Sequence, residues 1–163
     1  MRVASGLLGT RIQRRANKPG LSSHLRAFQC DPKIGDEDFS VITDQDIAAF
    51  AELSGDVNPV HLSDDFAAGT IFKRRIAHGF LTGSLFSTVL GTKLPGPGCI
   101  YLSQSMKFKA PVYIGDEVVA TLRITGLDAE NGRATLACDA AVNGKTVLEG
   151  EAVMMVDRRA PRQ

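Results

Sequence analysis

The chain of 163 residues has no tryptophan, only two tyrosines and only three cysteines. Cys30, Cys99 and Cys138 are odd in number, far apart and without a Cys-x-x-Cys pair. That spacing gives neither a disulfide framework nor a cysteine-paired zinc site, and it points to a reducing compartment. No apolar run approaches the roughly 18 to 20 residues that a membrane-spanning helix requires. Neither Gly-x-x-x-x-Gly-Lys-Ser/Thr nor Gly-x-Gly-x-x-Gly occurs, so the usual phosphate-cradling loops are missing. A serine nucleophile on a Gly-x-Ser-x-Gly elbow is also absent. Acids are missing from residues 1–28, which hold six basic side chains. The other 135 residues carry 13 basic and 18 acidic groups, a balance of −5, and so have no sequence-independent pull toward nucleic acid phosphates.

The leader, MRVASGLLGTRIQRRANKPGLSSHLRAF, is rich in arginine and serine and free of acids, the composition of an organelle transit peptide. Composition alone carries this expectation, because Arg11, Arg14 and Arg15 fall on the same side of a helical wheel as Leu7 and Leu8. Arg14-Arg15 does not open a twin-arginine signal, since ANKPG follows where an apolar segment is needed. A basic tail, or a start codon chosen too early, is the plainer alternative. The expected organisation is a transit peptide over 1–28, one domain over 29–157 and a short tail over 158–163.

What is present is an ordinary globular composition, 44% hydrophobic and 23% charged. After a short extended stretch, Thr43 is placed to cap a helix whose first turn holds Asp44 and Asp46. Ile47, Phe50 and Ala51 recur at helical spacing, and Gly55 stops the helix. Residues 64–77 read as a short helix and a loop. HGFLTGSLFSTVLGTKL is the most apolar helical pattern, with Phe80, Leu81, Leu85, Phe86, Val89 and Leu90 around most of its circumference, so a buried helix is expected. Gly79, Gly83 and Ser87 form a stripe of small residues, either for close packing on a sheet or to line a narrow slot. PGPG at 95–98 ends the helical half. From Ile100 the pattern is that of strands, with hairpin signals at Asn131-Gly132 and Asn143-Gly144. Val118, Ala120, Leu122 and Ile124 alternate with Val119, Thr121, Arg123 and Thr125, as a sheet covered on one face requires. The layout is α+β, an antiparallel sheet around one long helix.

Chemistry concentrates in FAELSGDVNPVHLS, residues 50–63, and in AHGFLTG, residues 77–83. The three cysteines lie in unactivated contexts. Asp56, His61 and His78 lack metal-type spacing, so no metal is expected. Acid–base work remains: a histidine and a carboxylate at loop–helix junctions, where side chains face clefts. Gly79 opens the apolar helix, whose first N–H groups and positive dipole end suit a developing oxyanion. Each residue also has a plainer reading. Asp56 and Asn58-Pro59 suit a turn, His61 suits a half-buried position with one satisfied nitrogen, and His78 suits a helix cap.

FAELSGDVNPVHLS, followed by RRIAHGFLTGSLFSTVLG, IYLSQSMKFKAPVYIGDEV and GEAVMMV, resembles the MaoC-like family of (R)-specific enoyl thioester hydratases and 3-hydroxyacyl thioester dehydratases. The resemblance spans about residues 33–156, with Gly-Asp-x-Asn-Pro-x-His as its most specific motif. It implies a hot-dog fold, a homodimer and reversible dehydration of (3R)-3-hydroxyacyl thioesters without metal or cofactor. Asp56 and His61 then correspond to the catalytic pair, Gly79 to the oxyanion donor, Ser87 to a supporting serine near the site, and Asn58 with Pro59 to the turn. Coenzyme A and acyl carrier protein both present negative charge, which Lys73, Arg74, Arg75, Lys107 or Lys109 could meet; a solvated basic face is the alternative. The leader tips the expectation toward acyl carrier protein and the mitochondrial matrix, in organellar fatty acid synthesis. A noncatalytic acyl-thioester-binding module, an (R)-specific enoyl-CoA hydratase and a hot-dog thioesterase are the other readings.

Overall fold

A computed structural model describes residues 35–156. The leader, Cys30 and the tail from residue 157 lie outside the described residues, so the expectations placed on them are not carried into the fold.

Strand β1, Gly35–Val41, leads into helix α1, Asp44–Ser54. Thr43 caps α1 as its sequence predicts: its hydroxyl accepts from Asp46 N, while the Asp46 carboxylate accepts from Thr43 N at 2.8 Å. The side-chain bond between Thr43 and Asp46, and then the bond to the Thr43 backbone, hold the Asp46 carboxyl below its usual range. Gly55 ends α1 in the left-handed region at φ 77°, with its N–H on Ala51 O. Two short helices follow, α2 at Pro59–Leu62 and α3 at Asp64–Ala68, and then the long α4 at Gly79–Thr92.

The rest is sheet: β2 Cys99–Phe108, β3 Glu117–Asp128, β4 Arg133–Val142 and β5 Lys145–Val156, in the order β1-β3-β4-β5-β2, with every pair antiparallel. Asn143 and Gly144 both take positive φ, 49° and 74°, in a two-residue turn between β4 and β5. The other hairpin differs. Four residues, 129–132, connect β3 to β4, and Asp128 accepts from the backbone N–H groups of Glu130 and Asn131, so only Gly132 of that Asn-Gly pair takes positive φ.

One face of the sheet packs on α4. Val118, Ala120, Leu122 and Ile124 of β3 and Ala134, Leu136 and Ala140 of β4 are buried with Phe86, Val89 and Leu90 of α4. This is the α+β arrangement that the sequence pattern predicts. Helix α4 is not buried all round, however. Phe80 is 68% exposed, and Ser84 and Ser87 are exposed beside it, because the sheet covers only one side of the helix. At Gly83 the small-residue stripe serves packing: an added Cβ would lie 2.8 Å from the Met106 Sδ and Cε of β2.

Candidate active site

Local rules place the catalytic candidates. After Gly55, the Asp56 carboxylate accepts from Asn58 N at 3.2 Å, and the Asn58 side chain in turn accepts from Val60 N at 3.2 Å. Two successive Asx turns therefore lead into α2, with Pro59 at its first position, where a missing N–H costs nothing. The single turn of α2 swings His61 inward, where it is 8% exposed. His61 Nδ1 lies 2.8 Å from Ile76 O. A carbonyl can only accept, so Nδ1 carries the hydrogen and, in the neutral ring, the lone pair is on Nε2.

Asp56, His61 and His78 each place one ligating atom within 4.8 Å of the others. A single water can bridge a carboxylate and an imidazole over that span. The same three residues are a geometric candidate for a metal, but the histidine rings are stacked, with centroids 3.8 Å apart and planes tilted by 31°. In-plane lone pairs of stacked rings run nearly side by side, whereas a tetrahedral metal needs them to converge on one point.

Beside His61 opens a cavity of about 450 Å³. Its apolar walls include Phe72, Ile76, Phe80, Phe108, Val112 and Leu148, and Gly79 at the start of α4 reaches it. Gly79 has no room for a side chain, since a Cβ there would lie 2.6 Å from the Phe108 ring. The helix start and the aromatic wall are thus in direct contact, and α4 begins at the edge of the slot, with the first N–H groups that a helix leaves without an intrahelical partner. Asp56 and Asn58 do not line the cavity; both are exposed at its His61 side.

Other expected residues are placed differently. Ser87 is exposed and does not line the cavity, because two turns of α4 separate it from Gly79. His78 precedes α4 but makes no side-chain cap; its Nε2 instead lies 2.9 Å from Asp56 O. Arg75 is committed to two carboxylates, Asp44 at 2.7 Å and Asp64 at 3.0 Å, tying α1 to α3. Arg74 lies 3.8 Å over the Tyr113 ring. Lys109 and Lys107 both face Glu149, at 2.9 and 3.9 Å, and the bond from Lys109 holds that carboxyl below its usual range. Lys73 and Arg74 make no ion pair among the described residues. The two described cysteines are free, and burial pushes the Cys138 thiol up to about 11, away from thiolate chemistry.

Reading the sequence missed most of the cavity wall. Phe108, Val112 and Leu148 come from the sheet half and reach the site only through the fold, and no local pattern marks them.

A long helix held against an antiparallel sheet, with a histidine and a carboxylate beside an apolar slot, is a hot-dog arrangement whose site has groups suited to acid–base chemistry. The MaoC like domain matches residues 28–147, and the chain belongs to that MaoC-like family. It is 54% identical over 118 residues to an (R)-specific enoyl-CoA hydratase of Rhodospirillum rubrum, covering 72% of this chain and 82% of that protein. A mitochondrial 3-hydroxyacyl-[acyl-carrier-protein] dehydratase of Arabidopsis thaliana is 33% identical over 130 residues, covering 76% and 77% of the two chains. Among solved structures, an (R)-hydratase from A. caviae involved in PHA biosynthesis superposes with a TM-score of 0.76 at 42% identity, covering 79% of this chain and 98% of that one.

Proposed function

We propose that the protein interconverts trans-2-enoyl-CoA and (3R)-3-hydroxyacyl-CoA thioesters. The observation that carries this reading is the Asp56–His61 pair, spaced for one water, with the His61 tautomer fixed by Ile76 O at the mouth of an apolar slot. In dehydration the Asp56 carboxylate removes the α-proton as the thioester carbonyl takes up enolate charge, and the N–H at Gly79 receives that charge. His61, protonated on Nε2, then gives its proton to the departing hydroxyl, and water leaves. Return of the α-proton from Asp56 to His61, through solvent, resets the pair; hydration runs the steps backwards. Asn58 holds the turn, and Lys73 with Arg74 are the cations left for the carrier's phosphates.

Coenzyme A as carrier is supported by the relative at 54% identity, whereas the relative named for acyl carrier protein stands at 33%. That ordering reverses the preference drawn from the leader. The second reading, a mitochondrial dehydratase on acyl carrier protein, keeps the support of the leader's composition. Ultraviolet absorbance of the enoyl thioester band separates the two. Crotonyl-CoA should lose signal faster, at equal concentration, than crotonyl attached to acyl carrier protein. The reverse order would favour the second reading, no loss with either would leave a binding module, and release of free thiol would mark a thioesterase.

The reading includes a homodimer. Among the described residues, strand β2 ends the sheet with β5 as its one neighbour, and Ile100, Leu102 and Phe108 on it are 46%, 43% and 52% exposed. An unpaired apolar edge of this kind is a template for a second strand. Light scattering should give twice the chain mass, and Leu102→Lys should shift the protein to monomer; a monomeric parent protein would remove this part of the reading.

A further inference from the structure

His78 is 1% exposed and its Nδ1 is fully buried without a hydrogen-bond partner among the described residues. A residue kept only for packing would not bring an orphaned polar atom into the core, since an apolar ring of the same size fills that space without the desolvation cost. Its contacts are specific. Nε2 faces Asp56 O at 2.9 Å and must therefore be the protonated nitrogen. One face of the ring stacks on His61 at 3.8 Å, and Phe50 lies 5.0 Å away at an angle of 47°. Along the chain, His78 directly precedes Gly79.

Asp56 needs such a support. It sits in an exposed loop, and its other hydrogen bonds are local, to Ser54 and Asn58. Among the described residues, the bond from His78 is what ties residue 56 to a distant part of the chain. We infer that His78 is a positioning residue: it grips the main chain of Asp56, backs the ring of His61 and so sets the separation of the two groups relative to Gly79. This inference rests on the hydratase reading above.

The test compares His78→Gln and His78→Met in the full chain. The two side chains are close in shape, but only glutamine can donate to Asp56 O. His78→Met should lower kcat on crotonyl-CoA by about 10- to 100-fold, the scale of a small misplacement at a reacting centre, with KM within about twofold. His78→Gln should recover kcat to within about fivefold of the parent, as expected if the lost donor is what misplaces Asp56. In the dehydration direction, deuterium at Cα should give a larger isotope effect on kcat in His78→Met, because it is proton removal by Asp56 that slows. Equal activity of the two variants, or a loss that follows melting temperature with an unchanged isotope effect, would overturn the inference. If neither variant folds, imidazole nitrogen NMR of the parent protein decides: His78 should carry its proton on Nε2 and His61 on Nδ1, and a His78 protonated on Nδ1 would overturn it. A parent protein inactive on both carriers removes the hydratase reading and this inference together, whereas an active parent with unaltered His78→Met removes the inference alone.

Discussion

Asp56→Asn and His61→Asn should each reduce turnover of crotonyl-CoA by about 10²- to 10⁴-fold, the range of a positioned general acid or base. The local structure predicts that both variants fold. The Asp56 carboxylate is exposed and accepts one local hydrogen bond, from Asn58 N, which an asparagine oxygen can also accept. Asparagine at position 61 has its amide nitrogen where His61 has Nδ1, so the donor to Ile76 O is kept while the Nε2 base is lost. His61→Ala removes both, leaving the part-buried Ile76 carbonyl without this donor at a cost of about 1 kcal/mol, and so confounds activity with stability. Rates measured beside melting curves separate the effects. Near-parental turnover in either asparagine variant, at an unchanged melting temperature, would exclude the Asp56–His61 mechanism.

The largest expected effect on stability lies far from the chemistry, at Gly150. A Cβ there would stand 1.9 Å from the backbone oxygen of Ser105 and 2.9 Å from its carbonyl carbon. No rotamer relieves a clash with backbone, so β2 would have to leave its register on β5. The cost of Gly150→Ala should reach about 3 kcal/mol, the upper range for overpacking, or a fall in melting temperature of about 6–12 °C for a domain of this size. Activity should fall with it, because β2 carries Met106 and Phe108 onto Gly83 and Gly79 of α4. Thermal unfolding followed by circular dichroism checks this, and a shift under about 2 °C would show that the β2–β5 contact yields more readily than its geometry implies.

Legibility in the sequence followed the range of the interactions involved. The Thr43 cap, the Gly55 stop, the Asn143-Gly144 turn and the alternation of β3 are each decided within a few residues, by hydrogen-bonding options and φ preferences that a residue carries wherever it sits. The Asp56–Asn58–Pro59–His61 turn belongs with them, since its two Asx bonds span two residues each. What the sequence could not decide about the site was whom each charged or polar group would meet. Lys73, Arg74 and Arg75 are one basic run on paper. In the fold, Arg75 is taken by carboxylates 31 and 11 residues away, whereas Arg74 lies over an aromatic ring that leaves its charge without an ion-pair partner among the described residues. Ser87 and Gly83 share a stripe with Gly79, yet only Gly79 reaches the cavity, because Met106 fills the space at Gly83.

By itself, then, the sequence determined the class of fold, the order of its elements, the turn that presents Asp56 and His61, and the family. Tertiary structure alone decided the tautomer of His61 through Ile76 O, the grip of His78 on Asp56 across 22 residues, and the apolar wall that β2 and β5 bring to α4. Local geometry follows from each residue's own torsional and hydrogen-bonding preferences. A partner far along the chain is chosen only when the sheet closes on the helix and removes both groups from water, so that chemistry is set by packing.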